Sequence, residues 1–328
     1  MVMPTYKVAV LGPIPRDHIT THHGEVIQKY GCANHTCVAL SKLLGEEGIV
    51  IPVTHVQKKD EGPIKEILRP YPNIVLGHIT SDADQGDGVS LRFVDQNKRL
   101  EKQTGFMNPI NPEDVADLLD CDAFVCVPIT DYEVPLETIK YLKQHSRGMI
   151  ILDAHGPTNT LTVYGDRLIK FWADRDRWRP YLDVLKMNLE ESQCCWFKNE
   201  YREDELTGFE KSTNHLPALA AHCLDRGVKA LIITLDSSGC VVFYKENGVV
   251  KEVTVVSVKV DNVVDTTGCG DSFAGGLGFG LLTHPGDFVR AAKFGNAMGA
   301  QRTQGRTFEA FKTQQETIEM ILANYGTL

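Results

Sequence analysis

No stretch of this 328-residue chain approaches the about 18 consecutive apolar residues of a membrane-spanning helix. Positive charge is also scarce: 34 Lys and Arg stand against 43 Asp and Glu, a formal net charge of −9 with no basic cluster. That balance argues against nucleic acid or an anionic membrane surface as a partner. The nine cysteines include no CxxC pair, and an odd number does not make a disulfide framework, so zinc spacing is absent. Met1–Lys7 lacks a charged segment followed by a long apolar run, so no secretory signal is visible. A cytoplasmic protein with reduced, mostly buried thiols is expected. The chain has neither GxxxxGK[ST] nor an early GxGxxG, which removes the P-loop and the dinucleotide fingerprint. It also has no internal repeat and no low-complexity linker.

What is present is an α/β alternation. Lys7–Leu11, Ile49–Val56 and Ile74–Ile79 read as apolar strands, and so do Ala123–Val127, Met149–Leu152, Val184–Met187 and Ala230–Leu235. Helical segments lie between them, including Ala33–Leu44 with Gly45 as a stop and Gly62–Arg69 ended by Pro70. Asn111-Pro112-Glu113-Asp114 reads as a helix start, with an Asn cap and Pro at the first position. Continuous apolar strands separated by helices imply parallel strands buried on both faces. Val241–Tyr244 and Val249–Val256, joined at Glu246-Asn247-Gly248, read as an antiparallel hairpin at one edge. Residues near 14–30 and 86–110 differ in character: short, polar-alternating strands, with a hairpin around Asp95-Gln96-Asn97. The expected architecture is a doubly wound, mostly parallel α/β sheet with a small β extension. Ligands of open α/β sheets lie beyond the C-terminal ends of the strands.

One run stands apart: Asp265-Thr-Thr-Gly-Cys-Gly-Asp-Ser-Phe-Ala-Gly-Gly276. The β-branched stretch Val253–Val264 precedes it, and a helix from Ser272 to about Leu282 is expected to follow. Strand, glycine turn and helix start together turn backbone N–H groups toward one point, where the helix dipole is positive and an anion binds. The acid at its mouth, Asp271, suits a general base beside a phosphoryl group in transfer. The plainer alternative is structural, since Asp is a good residue in a helix's first turn.

This run resembles the C-terminal motif of the PfkB, or ribokinase-like, family of carbohydrate and nucleoside kinases, with Cys269 where members usually have Ala. The resemblance extends over nearly the whole chain and implies a single ribokinase-like kinase domain over 1–328, its β extension acting as a lid. It implies Asp271 as catalytic base and the N–H groups of Gly268, Cys269, Gly270 and Asp271 as the anion hole. Asp17, a few residues after the first strand, would accept hydrogen bonds from substrate hydroxyls. Gly31-Cys32-Ala33-Asn34 resembles the family's N-terminal glycine motif, with Gly31 and Asn34 at the substrate. Lys29-Tyr30 stands where many members have a glycine pair associated with lid motion. Asn188 and Glu191 fit an NxxE motif that positions Mg²⁺ partly through water; the same four residues also read as a capping box. Thr234, Asp236, Gly239 and Asn296 fall where members hold the nucleotide. Asp265, Thr267 and the 300–305 region resemble a monovalent-cation loop, so K⁺ is a further expectation.

The reading is an ATP- and Mg²⁺-dependent kinase of a hydroxyl, a primary CH₂OH, on a sugar or sugar acid. A nucleoside kinase or a non-catalytic nucleotide- or sugar-binding sensor is the alternative. A homodimer is expected through the β extension. Cys269, at a helix N-terminus, is expected to have a lowered thiol pKa and to be an inactivating alkylation site.

Overall fold

The computed structural model describes residues 5–94, 99–196 and 212–328. Its main sheet has nine strands. In spatial order they are Val249–Val255, Cys240–Glu246, Ala230–Thr234, Val184–Asn188, Met149–Asp153, Ala123–Cys126, Tyr6–Leu11, Gly48–His55 and Ile79–Thr80. The last seven run parallel, and the two at the first edge form the antiparallel hairpin.

Alternation along each strand feeds two cores. Val8 and Val10 face one side with Val125, Ile151, Val184 and Ile232. Ala9 and Leu11 face the other with Phe124, Ile150, Leu152, Leu185 and Leu231. A strand buried on both faces has no room for a polar position, which is why these segments read as unbroken apolar runs.

The extension is a separate four-stranded sheet, ordered Val26–Tyr30, Arg16–Thr20, Gly88–Phe93 and Arg99–Gly105. Ile19, Val89 and Leu91 make its small apolar face. The turn expected at 95–97 lies outside the described residues.

Four expectations need correction. Ile74–Ile79 is not one strand: Ile74 bridges Val50, a 3-10 turn spans Leu76–His78, and only Ile79–Thr80 pairs along the sheet edge. The helix expected over 62–69 begins at Lys58, where the Asp84 carboxylate accepts the Lys58 N–H; Pro63 is accommodated inside it. Asn111–Asp114 does form a capping box, but it starts only a single 3-10 turn, Pro112–Val115. The strand expected over Val249–Val256 ends at Val255, paired with Cys240, well short of the glycine turn that the stretch to Val264 was expected to feed. Gly239 breaks the partner strand there, and the Asn296 amide captures the carbonyls of Val255 and Val256. Irregular chain then leads to Gly268.

The helix Cys269–Thr283 starts three residues earlier than expected and is buried from Ser272 to Leu282. Gly275, Gly276, Gly278 and Gly280 let it be gripped from several sides. A Cβ on Gly275 would lie 2.8 Å from the Thr36 carbonyl oxygen, on Gly276 2.4 Å from the Phe294 oxygen, and on Gly280 2.5 Å from Ala291 Cα. Each glycine costs a helix about 1 kcal/mol relative to Ala. Here the helices Ala33–Leu44 and Phe288–Thr303 approach backbone to backbone in return. Gly276→Ala should therefore destabilise, by about 1–3 kcal/mol of overpacking, despite Ala's better helix propensity. A thermal midpoint equal to or above that of the parent protein would contradict this packing.

Candidate active site

The sheet's C-terminal strand ends, the lid sheet and the start of the 269–283 helix enclose a cleft of about 990 Å³. Gly268 caps the helix in the left-handed region at φ 84°, a conformation and a position that only glycine suits. A Cβ there would meet the His35 ring at 2.4 Å. That ring is buried with neither nitrogen bonded, and burial holds it well below the usual histidine range, so it is a neutral floor. Among the described residues, the N–H groups of Gly268 and Gly270 meet no acceptor. The Cys269 N–H does, donating to the Thr266 carbonyl at 3.3 Å. Behind Gly270, a Cβ would lie 3.2 Å from Lys186 Nζ. Orphan N–H groups, a helix dipole and an ammonium thus converge on one point.

Asp271 is the third residue of the helix. Its backbone carbonyl takes the Thr36 hydroxyl at 2.9 Å, which fixes the turn, and its Oδ1 faces Cys32 Sγ at 3.6 Å. Burial raises its pKa, opposed by Lys186 and His155. Such a shift moves a carboxylate toward the range useful for a base.

Asp17, on the lid strand Arg16–Thr20, is 5% exposed. Burial pushes it up to about 7; Lys29 opposes the rise and Asp271 adds to it. Ionising it in place costs about 4 kcal/mol relative to water. Gly31 does not line the cleft; it makes room for Asp17, because a Cβ there would meet Asp17 Oδ2 at 2.5 Å. Asn34 is fully buried off the cleft wall, its amide 3.5 Å from the Tyr30 carbonyl. Its Oδ1 has no partner among the described residues. Cys32, between them, lines the cleft and is held at φ 48°, unusual for a non-glycine residue.

Asn188 and Glu191 form a reciprocal cap at the end of strand Val184–Asn188. Asn188 Oδ1 accepts the Glu191 N–H at 2.7 Å, and Glu191 Oε2 accepts the Asn188 N–H at 2.8 Å. Glu191 Oε1 takes the Asn188 amide and His155 Nδ1, each at 2.9 Å. The capping box is thus formed, and the capped pair also lines the cleft. Among the described residues no group of three or more His, Cys, Asp or Glu could hold a metal ion. Metal support at this place would run through water and donor phosphates rather than a protein cage.

Thr234, Asp236, Gly239 and Asn296 also line the cleft. Gly239 is at φ 99° with a Cβ position 2.1 Å from the Val255 oxygen, so it shapes the wall. The Asn296 amide nitrogen is already committed to Val255, Val256 and Tyr325. Thr267 lines the cleft, whereas Asp265 lies behind it, bonded to Lys29 Nζ, Arg302 Nη2 and the Thr267 N–H.

The lowered thiol pKa expected for Cys269 is not what its surroundings favour. Burial pushes this thiol up to about 12, with Arg302 pulling the other way, so desolvation outweighs the helix terminus. All nine cysteines are free, and eight are buried.

Sequence reasoning missed a polar group across the cleft. Lys186 Nζ pairs with Asp153 Oδ2 at 2.6 Å, both buried. Arg167 Nη1 lies 3.2 Å from His155 Nε2, and its Nε lies 3.5 Å from Glu101. Glu191 beside Nδ1 raises the His155 pKa against the cost of burial, while the Arg167 guanidinium, which can only donate, opposes that rise. Lys186 was visible two residues before Asn188, and Asp153-Ala-His155 at the end of a strand. Arg167 sits on a two-stranded ribbon without a signature.

A doubly wound α/β sheet with a small β extension beside its cleft and a glycine-capped helix at its strand ends is the ribokinase-like fold. Residues 148–309 match the family described as pfkB family carbohydrate kinase. The chain is 34% identical to the ribokinase of Mus musculus over 136 residues, 40% of each chain. It is 30% identical to a nucleoside kinase of Methanocaldococcus jannaschii over 115 residues, 35% of this chain and 34% of that one. These matches span about two fifths or less of the curated relatives' length. The solved structure of Arabidopsis thaliana ribokinase complexed with ribose and ATP superposes with a TM-score of 0.71 at 16% identity, covering 97% of this chain and 99% of that one. At that identity the likeness is one of fold.

The pH response of Asp17 follows from its environment. Its folded pKa lies above the usual 3.8, so its stabilising contribution is present below about pH 4 and is lost as pH rises through about 7. Asp17→Asn should flatten that loss, so that its thermal midpoint matches or exceeds the parent's at pH 8 but not at pH 4. A difference between the two midpoints that does not change with pH would contradict the buried, repelled carboxylate.

Proposed function

We propose that this protein transfers the γ-phosphoryl group of ATP to a hydroxyl, a primary CH₂OH, of a sugar or sugar acid. The observation that carries the reading is Asp271 at the third position of a helix at whose start the N–H groups of Gly268 and Gly270 meet no acceptor among the described residues, with Asp17 lining the same cleft from the lid. Asp17 accepts from the acceptor's hydroxyls and orients them. Asp271 takes the proton from the attacking hydroxyl, whose oxygen bonds to the γ-phosphorus as the bridging bond to ADP breaks. Charge spreads over the equatorial oxygens, where the N–H groups of Gly268 and Gly270 and the Lys186 ammonium offset it. One preorganised donor of this kind is worth about 3–4 kcal/mol. Mg²⁺, held from the Asn188 and Glu191 side through water, would neutralise the donor phosphates. Thr234, Asp236, Gly239 and Asn296 form the wall available to the nucleoside part of ATP.

Arg167 near Glu101 and His155 gives the acceptor end a polar, partly cationic wall suited to a hydroxylated or acidic sugar. Val89, Leu91 and Ile129 beside it favour the second reading, a nucleoside acceptor whose base packs on them. The nine free thiols suit a reducing, cytoplasmic setting. Val26 and Leu100, 58% and 60% exposed on the lid strands, suit pairing of two copies, which sedimentation at two concentrations decides.

Asp271→Asn should lower kcat by about 10²–10⁴ while ATP affinity, read by calorimetry, changes little. Retained turnover in that variant would remove Asp271 from the role of base.

A further inference from the structure

A monovalent cation was expected at Asp265, and the groups around it do not fit one. Asp265 Oδ2 receives Lys29 Nζ at 2.9 Å and Arg302 Nη2 at 2.8 Å, and Oδ1 receives the Thr267 N–H at 2.8 Å. One negative charge already faces two positive ones. Even so, Lys29 and Arg302 hold the carboxyl far below the usual range against the cost of burial. The carbonyls that would complete a cation's shell are also engaged. The Ala300 oxygen takes the Thr303 hydroxyl at 2.7 Å, and the Gln301 oxygen takes the Gln304 N–H at 3.1 Å. The Thr303 oxygen takes the N–H groups of Val264 at 2.7 Å and Asp265 at 3.3 Å, and the Gly305 oxygen takes Arg302 Nη1. A cation such as K⁺ needs oxygen ligands free of local positive charge, and here two side-chain cations already occupy the Asp265 carboxylate while each of these carbonyls already accepts at least one hydrogen bond.

We propose that Lys29 and Arg302 serve as a built-in cation, holding the loop before the anion hole without K⁺. Arg302 is 1% exposed and comes from the helix Phe288–Thr303, so it is the fixed half. Lys29 comes from the lid strand Val26–Tyr30, 236 residues away along the chain from Asp265. Its ammonium also acts on Asp17, whose ionisation it favours. Lys29 is thus a positioning residue that ties the lid, the acceptor-orienting carboxylate and the loop leading to Gly268 into one charge network. Through Thr267 and the Thr266 carbonyl, that loop sets where the first N–H groups of the helix point.

The inference rests on the phosphoryl-transfer reading for its rate consequences but not for its binding consequences, so two readouts separate them. Thermal midpoint and turnover are measured for the parent protein, Lys29→Met and Lys29→Arg, in potassium chloride and in choline chloride at equal ionic strength. For the parent, the midpoint and kcat should agree between the two salts, because a ligand that does not bind the folded state shifts neither. Lys29→Met should lose about 10²-fold in kcat through misplacement of the anion hole, and Lys29→Arg should recover most of it. A potassium-specific rise in the parent's midpoint or rate would overturn the proposal, and so would a Lys29→Met variant with unchanged kcat. Absence of turnover in every salt would overturn the transfer reading instead, and the midpoints alone would then decide the cation question.

Discussion

The position of one helix governs the site. Cys269–Thr283, with its cap Gly268, carries both the orphan N–H groups and Asp271, and its place is fixed by contacts closer than any side chain would allow. Gly275 lies against the Thr36 backbone, Gly276 against Phe294 and Gly280 against Ala291. Two neighbouring helices thus hold it at the level of main chain, where little adjustment is available. A glycine-rich helix buried from Ser272 to Leu282 is a poor helix by propensity and a good one by packing. Rigid placement of this kind suits a site in which donors must be aimed before the reaction begins.

Around that helix the protein collects charge in buried and half-buried positions along the cleft. Asp17 and Asp271 repel each other and are both raised by burial. Lys186 answers Asp153 and Asp271, and its own pKa is raised by those acids against burial, which alone would lower it. Lys29 and Arg302 answer Asp265 on the far side of the same helix start. Buried pairs of this sort are weak sources of stability, since desolvation consumes most of their attraction. Their value here is geometric: each cation sits under or beside a group whose direction matters.

Much of this was legible in the chain. The alternation of apolar strands with helices gave the parallel sheet, and the polar character of residues near 14–30 and 86–110 marked the lid. The string 265–276 located the helix start, although the helix begins at Cys269 rather than Ser272, because Gly268 caps it from the left-handed region. Other features depend on what lies across space. Burial of Cys269 reverses the effect of the helix terminus on its thiol. Asn34 sits in a recognisable motif yet is fully buried off the cleft. Lys29 looked like the loss of a glycine, and only the fold brings it to Asp265. Arg167 and His155 meet through segments that share no sequence signal.

The central claim is that the free N–H groups and Asp271 serve transfer of a phosphoryl group to an alcohol. The most direct measurement is ³¹P NMR of the protein with Mg-ATP and, in turn, pentoses, hexoses, sugar acids and nucleosides. The account predicts that one class of acceptor gives a new phosphomonoester resonance growing in step with ADP, without free phosphate. ATP left intact with every acceptor, or consumed only to inorganic phosphate whatever the acceptor, would contradict it.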